Sequence, residues 1–375
     1  MTRRPPARRE RKVRYAVIGL GHIAQAAVLP AFAHASRNSE LAALVSDDDT
    51  KLRKLGRKYG VAARYNYAQL GQCLQNGIDA VYIALPNHLH REYTERAARA
   101  GVHVLCEKPM ALTERDCEAM IRAADRGGVK LMVAYRLHFE SANLSALEAV
   151  KSRAIGEPRI FNSVFSLQVK EGNIRIRRQT GGGTLWDIGI YCINAARYLF
   201  RAEPEEGFAY AASSSDKRFR EVEEMTSALL RFPGNRLASF TCSFGAGDVS
   251  SYQVVGTRGD VRVDPAYEYA GELASVVTVD GRKRTREYAK RDQFAPELLH
   301  FSECVMTGRD PRPGGREGLA DVRIIRALYR SAKTGRPVRL GAYKAPPRPT
   351  LAKAERRPPV RKRQLVHAKA ASGND

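Results

Sequence analysis

Short apolar runs alternate with longer stretches of helical period through the first third of the chain. Residues 13–19 form the first run and end in glycine; later runs follow at 41–45, 79–85, 102–106 and 129–134. Between them the segments 51–59, 91–100 and 114–126 carry apolar residues at helical spacing. Strands that alternate with helices predict βαβ units and a parallel sheet, because parallel neighbours need a crossover long enough to hold a helix. Such crossovers are right-handed almost without exception, which gives a doubly wound α/β domain.

The rhythm changes near residue 140. One helix is expected over 141–152. β-type runs then follow at 159–168, 207–212, 227–232, 237–244, 252–255, 261–263 and 275–279. Joined by turns, these predict a large, mainly antiparallel open sheet. A helical pattern over 181–200 interrupts them, and helices over 296–306 and 320–334 close the series. Four segments follow from this reading. Residues 1–12 form a basic N-terminal arm and 13–136 a dinucleotide-binding domain of Rossmann type. Residues 137–340 form an α+β domain for substrate and oligomer contacts. The segment 341–375 turns to Pro, Lys, Arg and Ala without periodicity and reads as a disordered basic tail.

The net charge of +23 changes this picture little. Residues 1–14 hold seven Lys/Arg and one acid, and 341–375 hold nine Lys/Arg and two acids, so more than half of the excess sits at the two ends. Basic ends can bind nucleic acid by releasing counterions, but solvated appendages have the same composition, and nucleic acid is not the expected partner. No window reaches the roughly 18 consecutive apolar residues of a membrane helix. The first residues lack the apolar core of a secretory signal. Six cysteines are scattered without a C-x-x-C pair; reduced, buried thiols in a cytoplasmic protein are expected, and no metal set.

Gly19-Leu20-Gly21-His22-Ile23-Ala24 fits G-x-G-x-x-G/A, between a predicted strand and a predicted helix. That context gives the motif meaning: a tight turn at Gly19, close approach of a pyrophosphate at Gly21, close helix packing at Ala24 and a positive helix end facing the phosphates. After the second strand the chain reads Ser46-Asp47-Asp48-Asp49-Thr50-Lys51. An acid here suits the ribose hydroxyl of NAD, whereas a hydroxyl with a lysine suits the phosphate of NADP. Both kinds of group are present, so the residues leave the cofactor open.

Two strand ends and one glycine run carry the candidate chemistry. Leu85-Pro86-Asn87-His88-Leu89-His90 follows one strand and Cys106-Glu107-Lys108-Pro109 another, where open α/β sheets face their ligand crevice. A lysine fixed there can polarise a carbonyl or relay a proton. Gly181-Gly182-Gly183-Thr184-Leu185-Trp186-Asp187-Ile188-Gly189-Ile190-Tyr191 is costly in chain entropy, so a close approach or a strained turn is expected. Asp187 and Tyr191, four apart, share one face of the helix that follows.

Together with Tyr135-Arg136, these motifs resemble the Gfo/Idh/MocA oxidoreductases over roughly residues 13–340. Many members carry His four residues after the Asp. Tyr191 in that place, with Asn194, Arg197, Tyr198, Arg175 and Asp321-Val322-Arg323, resembles the glucose–fructose oxidoreductase branch. The resemblance implies hydride transfer between a nicotinamide and a sugar or polyol, with Lys108, Asp187 and Tyr191 as catalytic residues. It implies Lys108, Tyr135, Arg136, Asp187 and Tyr191 at the substrate. It places Gly19, Gly21, His22, Ile23, Ala24, Ser46, Lys51, Leu85, Pro86, Asn87, His90, Glu107, Lys108 and Arg136 at the cofactor. Ser46 and Lys51 point to NADP, and Asp47 keeps NAD as the alternative. Arg3, Arg4, Arg8 and Arg9 could reach cofactor phosphates. A homodimer or homotetramer through the second sheet is also implied. Two other functions compete: a non-catalytic dinucleotide sensor, which needs no proton relay, and an NAD-dependent glycosidase of the same superfamily, which would favour His at position 191.

Overall fold

The computed structural model describes residues 11–344, 349–361 and 364–372. Its first sheet has six parallel strands: β1 (Val13–Ile18), β2 (Ser39–Val45), β3 (Ala63–Tyr65), β4 (Ala80–Ile83), β5 (His103–Glu107) and β6 (Leu131–Ala134). They lie in the order β3-β2-β1-β4-β5-β6. The order reverses between β1 and β4, the switch point outside which open α/β sheets bind ligands.

The helices of this half are α1 (Leu29–His34), α2 (Asp49–Tyr59), α3 (Leu70–Gln75), α4 (His90–Arg99) and α5 (Glu114–Gly127). Both faces of the sheet are covered. Tyr15 and Val17 of β1 join a core with α1 and α2, whereas Ala16 and Ile18 join one with α3, α4 and α5. This two-sided burial explains why β1 reads as a continuous apolar run rather than an alternation. Thr113 caps α5 by accepting a hydrogen bond from the Asp116 amide, and Gly128 ends it in the left-handed region.

The remaining helices are α6 (Ser141–Lys151), α7 (Ile190–Phe200), α8 (Ala295–Thr307) and α9 (Gly315–Thr334). The second sheet contains β7 (Pro158–Ser166), β8 (Glu206–Ala212), β9 (Met225–Phe232), β10 (Arg236–Ser243), β11 (Val249–Gly256), β12 (Gly259–Val263), β13 (Leu273–Val279), β14 (Arg282–Tyr288) and β15 (Val338–Arg339). Its order is β14-β13-β12-β11-β7-β10-β9-β8-β15, antiparallel throughout except for the parallel pair β7–β10. The α/β fold with a large, mainly antiparallel second sheet is therefore as expected.

Helices from the second half also pack on the first. Helix α8 lies on the first sheet, where Ser302 hydrogen-bonds Tyr15 of β1 and Ser39 of β2 at 2.7 Å each. Helix α9 packs against α5 as well as β8. The buried Arg197 of α7 anchors this region. Its guanidinium makes a bidentate pair with Glu203 (2.7 and 2.9 Å) and further pairs with Glu317 (2.7 Å) and Asp321.

The expectation of disorder over 341–375 needs correction for the described residues. The segment has little regular structure, yet it is pinned to the body. Lys353 Nζ donates to the Arg312 carbonyl at 2.8 Å, Val366 pairs with the Gln25 side chain, and the Ala371 carbonyl accepts the Lys170 amide at 3.0 Å. Side chains of the body, which composition cannot report, supply these partners. Arg3, Arg4, Arg8 and Arg9 lie outside the described residues.

Candidate active site

Five loops leave the same edge of the first sheet, at the ends of β1, β2, β4, β5 and β6, and the loop before α7 faces them. At the first, Gly19 has φ +91°, and an added Cβ would sit 2.6 Å from the Ala84 carbonyl oxygen. Its role is to let β1 pass close to β4. Gly21 differs: a Cβ there would meet nothing within 4 Å. Open space at this helix start is what a pyrophosphate would fill. His22 and Ile23 are half-buried beside it. Ala24 is fully buried and opens a π-wound turn, Ala24–Val28, that runs into α1. These residues fit a dinucleotide.

At the end of β2 two of the acids are engaged. Asp47 accepts the Tyr67 amide at 2.9 Å. Asp48 caps α2 by accepting the Lys51 amide at 2.9 Å, and Lys51 Nζ lies 4.0 Å from its carboxylate. The Lys51 amide leads in holding the Asp48 carboxyl below the usual carboxylate range. Ser46 is buried, and its Oγ accepts the Asp48 amide at 3.2 Å.

The β4 loop brings Leu85, Pro86 and Asn87 to the same edge. Asn87 Nδ2 donates to the Gly181 carbonyl at 2.8 Å and so ties this loop to the triple glycine. His90 corrects an expectation. Its ring is fully buried, with Nδ1 2.8 Å from the Pro109 carbonyl and Nε2 2.8 Å from the Leu85 carbonyl. It clamps two loops together and presents no face to a cofactor. Burial, above all, lowers its pKa.

Glu107 and Lys108 end β5. The Glu107 carboxylate turns inward and accepts the Tyr82 hydroxyl at 2.8 Å; burial raises its pKa. Lys108 Nζ donates to the Asp187 carbonyl at 2.7 Å and lies 3.3 Å from Asp187 Oδ1. Arg175 Nε donates to Asp187 Oδ2 at 2.6 Å. Burial alone would raise the Asp187 pKa, but Arg175 and Lys108 overcome it and hold the carboxyl at about 2. Burial works against the Lys108 ammonium too, yet Tyr191, Asp187 and Glu107 raise its pKa. Lysine and aspartate are therefore charged together.

Tyr191 stands over this cluster. Lys108 Nζ lies 4.7 Å and the Arg136 guanidinium 5.0 Å from its ring centre. Phe165 and Tyr267 pack on the same ring. Arg136 is itself buried, hydrogen-bonded to Gln293 and to the Tyr267 carbonyl, and stacked on Tyr269 as well. Tyr135 is the second correction. Its ring stacks on His138, and its buried hydroxyl lies toward Asp321 and Glu317 rather than the crevice.

The glycine run is explained by close approach. A Cβ on Gly181 would sit 2.9 Å from the Asn87 side chain, and one on Gly182 would sit 2.3 Å from the Arg175 carbonyl. Side chains at these positions would push Arg175 and Asp187 away from Lys108. A π-wound turn, Leu185–Gly189, then carries Asp187 into α7 beside Tyr191. Sequence reasoning missed Tyr267, whose hydroxyl lies 2.8 Å from Ser163 Oγ, and Gln25. Gln25 directly follows the glycine motif, which is a signal that could have marked it. Nothing in the local pattern marks Tyr267.

Residues 13–135 match the GFO/IDH/MocA oxidoreductase family, NAD-binding Rossmann fold, and 144–262 match the GFO/IDH/MocA C-terminal domain. The D-xylose 1-dehydrogenase [NADP(+)] of Haloarcula marismortui is 32% identical over 88% of this chain and 93% of its own. The aldose–aldose oxidoreductase of Caulobacter crescentus, solved with glycerol, is 43% identical with a TM-score of 0.84. The match covers 88% of this chain and all of that one. The 3-ketoreductase KijD10 of Actinomadura kijaniata, solved with NADP and TDP-benzene, is 27% identical with a TM-score of 0.78, over 85% of this chain and 98% of that one.

Proposed function

The chain belongs to the GFO/IDH/MocA oxidoreductase family, and on that premise we propose that it is a sugar or polyol oxidoreductase, with NADP as cofactor and NAD as the alternative. The observation that carries the reading is the Lys108–Asp187–Arg175 cluster against the Tyr191 ring. Relatives that act on xylose and on aldoses support the sugar class.

Gly21, Ala24, Ser46, Lys51 and Asn87 line the strand ends that would hold the dinucleotide, which when bound supplies or accepts the hydride. Asp187 is held as an anion and accepts a sugar hydroxyl. Tyr191 exchanges the proton of the reacting hydroxyl. Two cations lie against its ring, so negative charge that develops on the phenolic oxygen is compensated in place by groups that need not reorganise. Lys108 is fixed by Asp187 and acts as that electrostatic support. A pure sensor has no use for this set, and it favours catalysis over regulation.

The outward face of the second sheet presents Ile160, Val164, Tyr210, Leu229, Leu237 and Val249 as exposed apolar residues on five strands. A contiguous apolar face of this kind marks a protein contact, and a homodimer or homotetramer through it completes the proposal. All six cysteines are free and buried, as suits the reducing cytoplasm. Among the described residues no helix is long and apolar enough to cross a membrane.

The test is a titration of cofactor-stripped protein with NADPH and NADH, followed by a panel of aldoses and polyols read by nicotinamide absorbance. Turnover of one sugar supports the proposal. Tight binding without turnover of any would move the reading to a sensor.

A further inference from the structure

The C-terminal segment touches the glycine motif, the β2 end and the second half of the chain in turn. Gln25 is the first contact. It is 2% exposed and lies directly after Gly19–Ala24. Its Nε2 donates to the Leu20 carbonyl inside the glycine turn and to the Val366 carbonyl, at 2.8 Å each, and its Oε1 accepts the Val366 amide at 2.7 Å. One side chain thus grips both backbone groups of a residue 341 positions away, and it is itself fixed by the dinucleotide turn. The Val366 side chain packs on the same core as Ile23 and Tyr269.

The next residue makes the second contact. His367 Nδ1 lies 2.9 Å from Asp48 Oδ2, at the β2 end. Asp48 belongs to the acidic run at the β2 end, where a carboxylate suits a ribose hydroxyl and repels a ribose phosphate. His367 and Lys51 both face its carboxylate. Four residues later the chain reaches the far side, where the Ala371 carbonyl accepts the Lys170 amide and both Ala371 and Ser372 are buried. Four residues span about 14 Å at most. The segment therefore crosses from the β2 end to the loop after β7 by a short route.

We propose that residues 364–372 form an outer wall of the dinucleotide site, in which Gln25 positions Val366 and His367 masks Asp48 so that the ribose end accepts the 2′-phosphate of NADP. This rests on the cofactor reading above. His367, with Ser46 and Lys51, becomes a determinant of cofactor choice, and the strap slows release of whichever dinucleotide lies beneath it.

The experiment compares the full chain with His367→Ala and with a chain ending at Arg361. NADPH and NADH affinities are measured by fluorescence titration, and NADPH release by stopped-flow chase; thermal melting confirms that each variant is folded. Loss of His367 uncovers Asp48, whose carboxylate then opposes the 2′-phosphate. The preference for NADPH over NADH should fall roughly tenfold, the scale of one hydrogen bond to a charged group. Truncation should reproduce that fall and also speed NADPH release. An unchanged preference and release rate in both variants would overturn the proposal. Tighter NADPH binding after truncation would also overturn it, because the segment would then compete for the site. If the full chain binds neither dinucleotide, the cofactor reading itself fails and the wall fails with it.

Discussion

Gly21→Ala isolates the cofactor site from the fold. The added methyl meets no atom of the protein within 4 Å, so stability should stay within about 0.5 kcal/mol of the parent. That is a shift of about 1–2 °C in Tm for a chain of this size. A pyrophosphate seated on the helix start would meet that methyl instead. Overpacking of this kind costs about 1–3 kcal/mol, so NADPH affinity should fall roughly 5- to 150-fold. Gly19→Ala is the contrasting control. Its Cβ would press on the Ala84 carbonyl at 2.6 Å from a backbone with φ +91°. Strain of about 1–2 kcal/mol for the left-handed conformation adds to the clash, and the protein should melt several degrees lower. Fluorescence titration and thermal melting on both variants decide the matter. NADPH binding by Gly21→Ala at parental strength would refute the placement of the pyrophosphate.

Other expectations concern stability, pH and assembly. Arg197→Met leaves Glu203, Glu317 and Asp321 facing an apolar side chain; a loss of about 3–5 kcal/mol is expected in denaturant unfolding, the usual cost of breaking a buried ion network. Asp187 has a lowered pKa, so its ion pairs contribute fully above the ordinary carboxylate range and are lost as pH falls through about 2. Lys108 has a raised pKa, so its contribution is full below the ordinary lysine value and lost only as pH rises beyond it. Neither group should produce a limb in kcat/KM between about pH 5 and 9, whereas Arg175→Ala should move the acid limb upward. Leu229→Lys places a charge on the open apolar face and should shift the sedimentation of the protein toward the monomer without changing its melting temperature.

Much of the architecture was legible because both periods in the sequence are driven by burial. The first sheet's strands read as apolar runs since both of their faces are covered. The exceptions have specific causes. Strand β3 is three residues at a sheet edge, Ala63–Tyr65, too short to show a period. Strand β14, Arg282–Tyr288, is almost wholly exposed and carries charged residues along an edge. Such charge keeps an edge from pairing with another chain and hides it from any search for apolar positions. The site was legible in its residues more than in its connections. Lys108, Asp187 and Tyr191 come together in the structure, but the ion pair from Arg175 joins positions twelve apart through a glycine run, which no local pattern reports. His90 and Tyr135 depart from expectation for a common reason: a polar residue in a loop after a strand can face the ligand or brace the loop behind it. The clamp between Gln25 and Val366 spans almost the whole chain, so composition alone made the segment look unattached.

The central claim, that Lys108 and Tyr191 carry proton transfer during hydride transfer to or from a sugar, is tested most directly by single-turnover rates. Parent protein, Lys108→Ala and Tyr191→Phe would be mixed with saturating NADPH or NADP and the best substrate of the panel, with cofactor affinity measured alongside. The account predicts a fall of about 10²-fold or more in each variant, the scale of lost general acid–base catalysis, with cofactor affinity largely unchanged. Parental rates in both variants would contradict it.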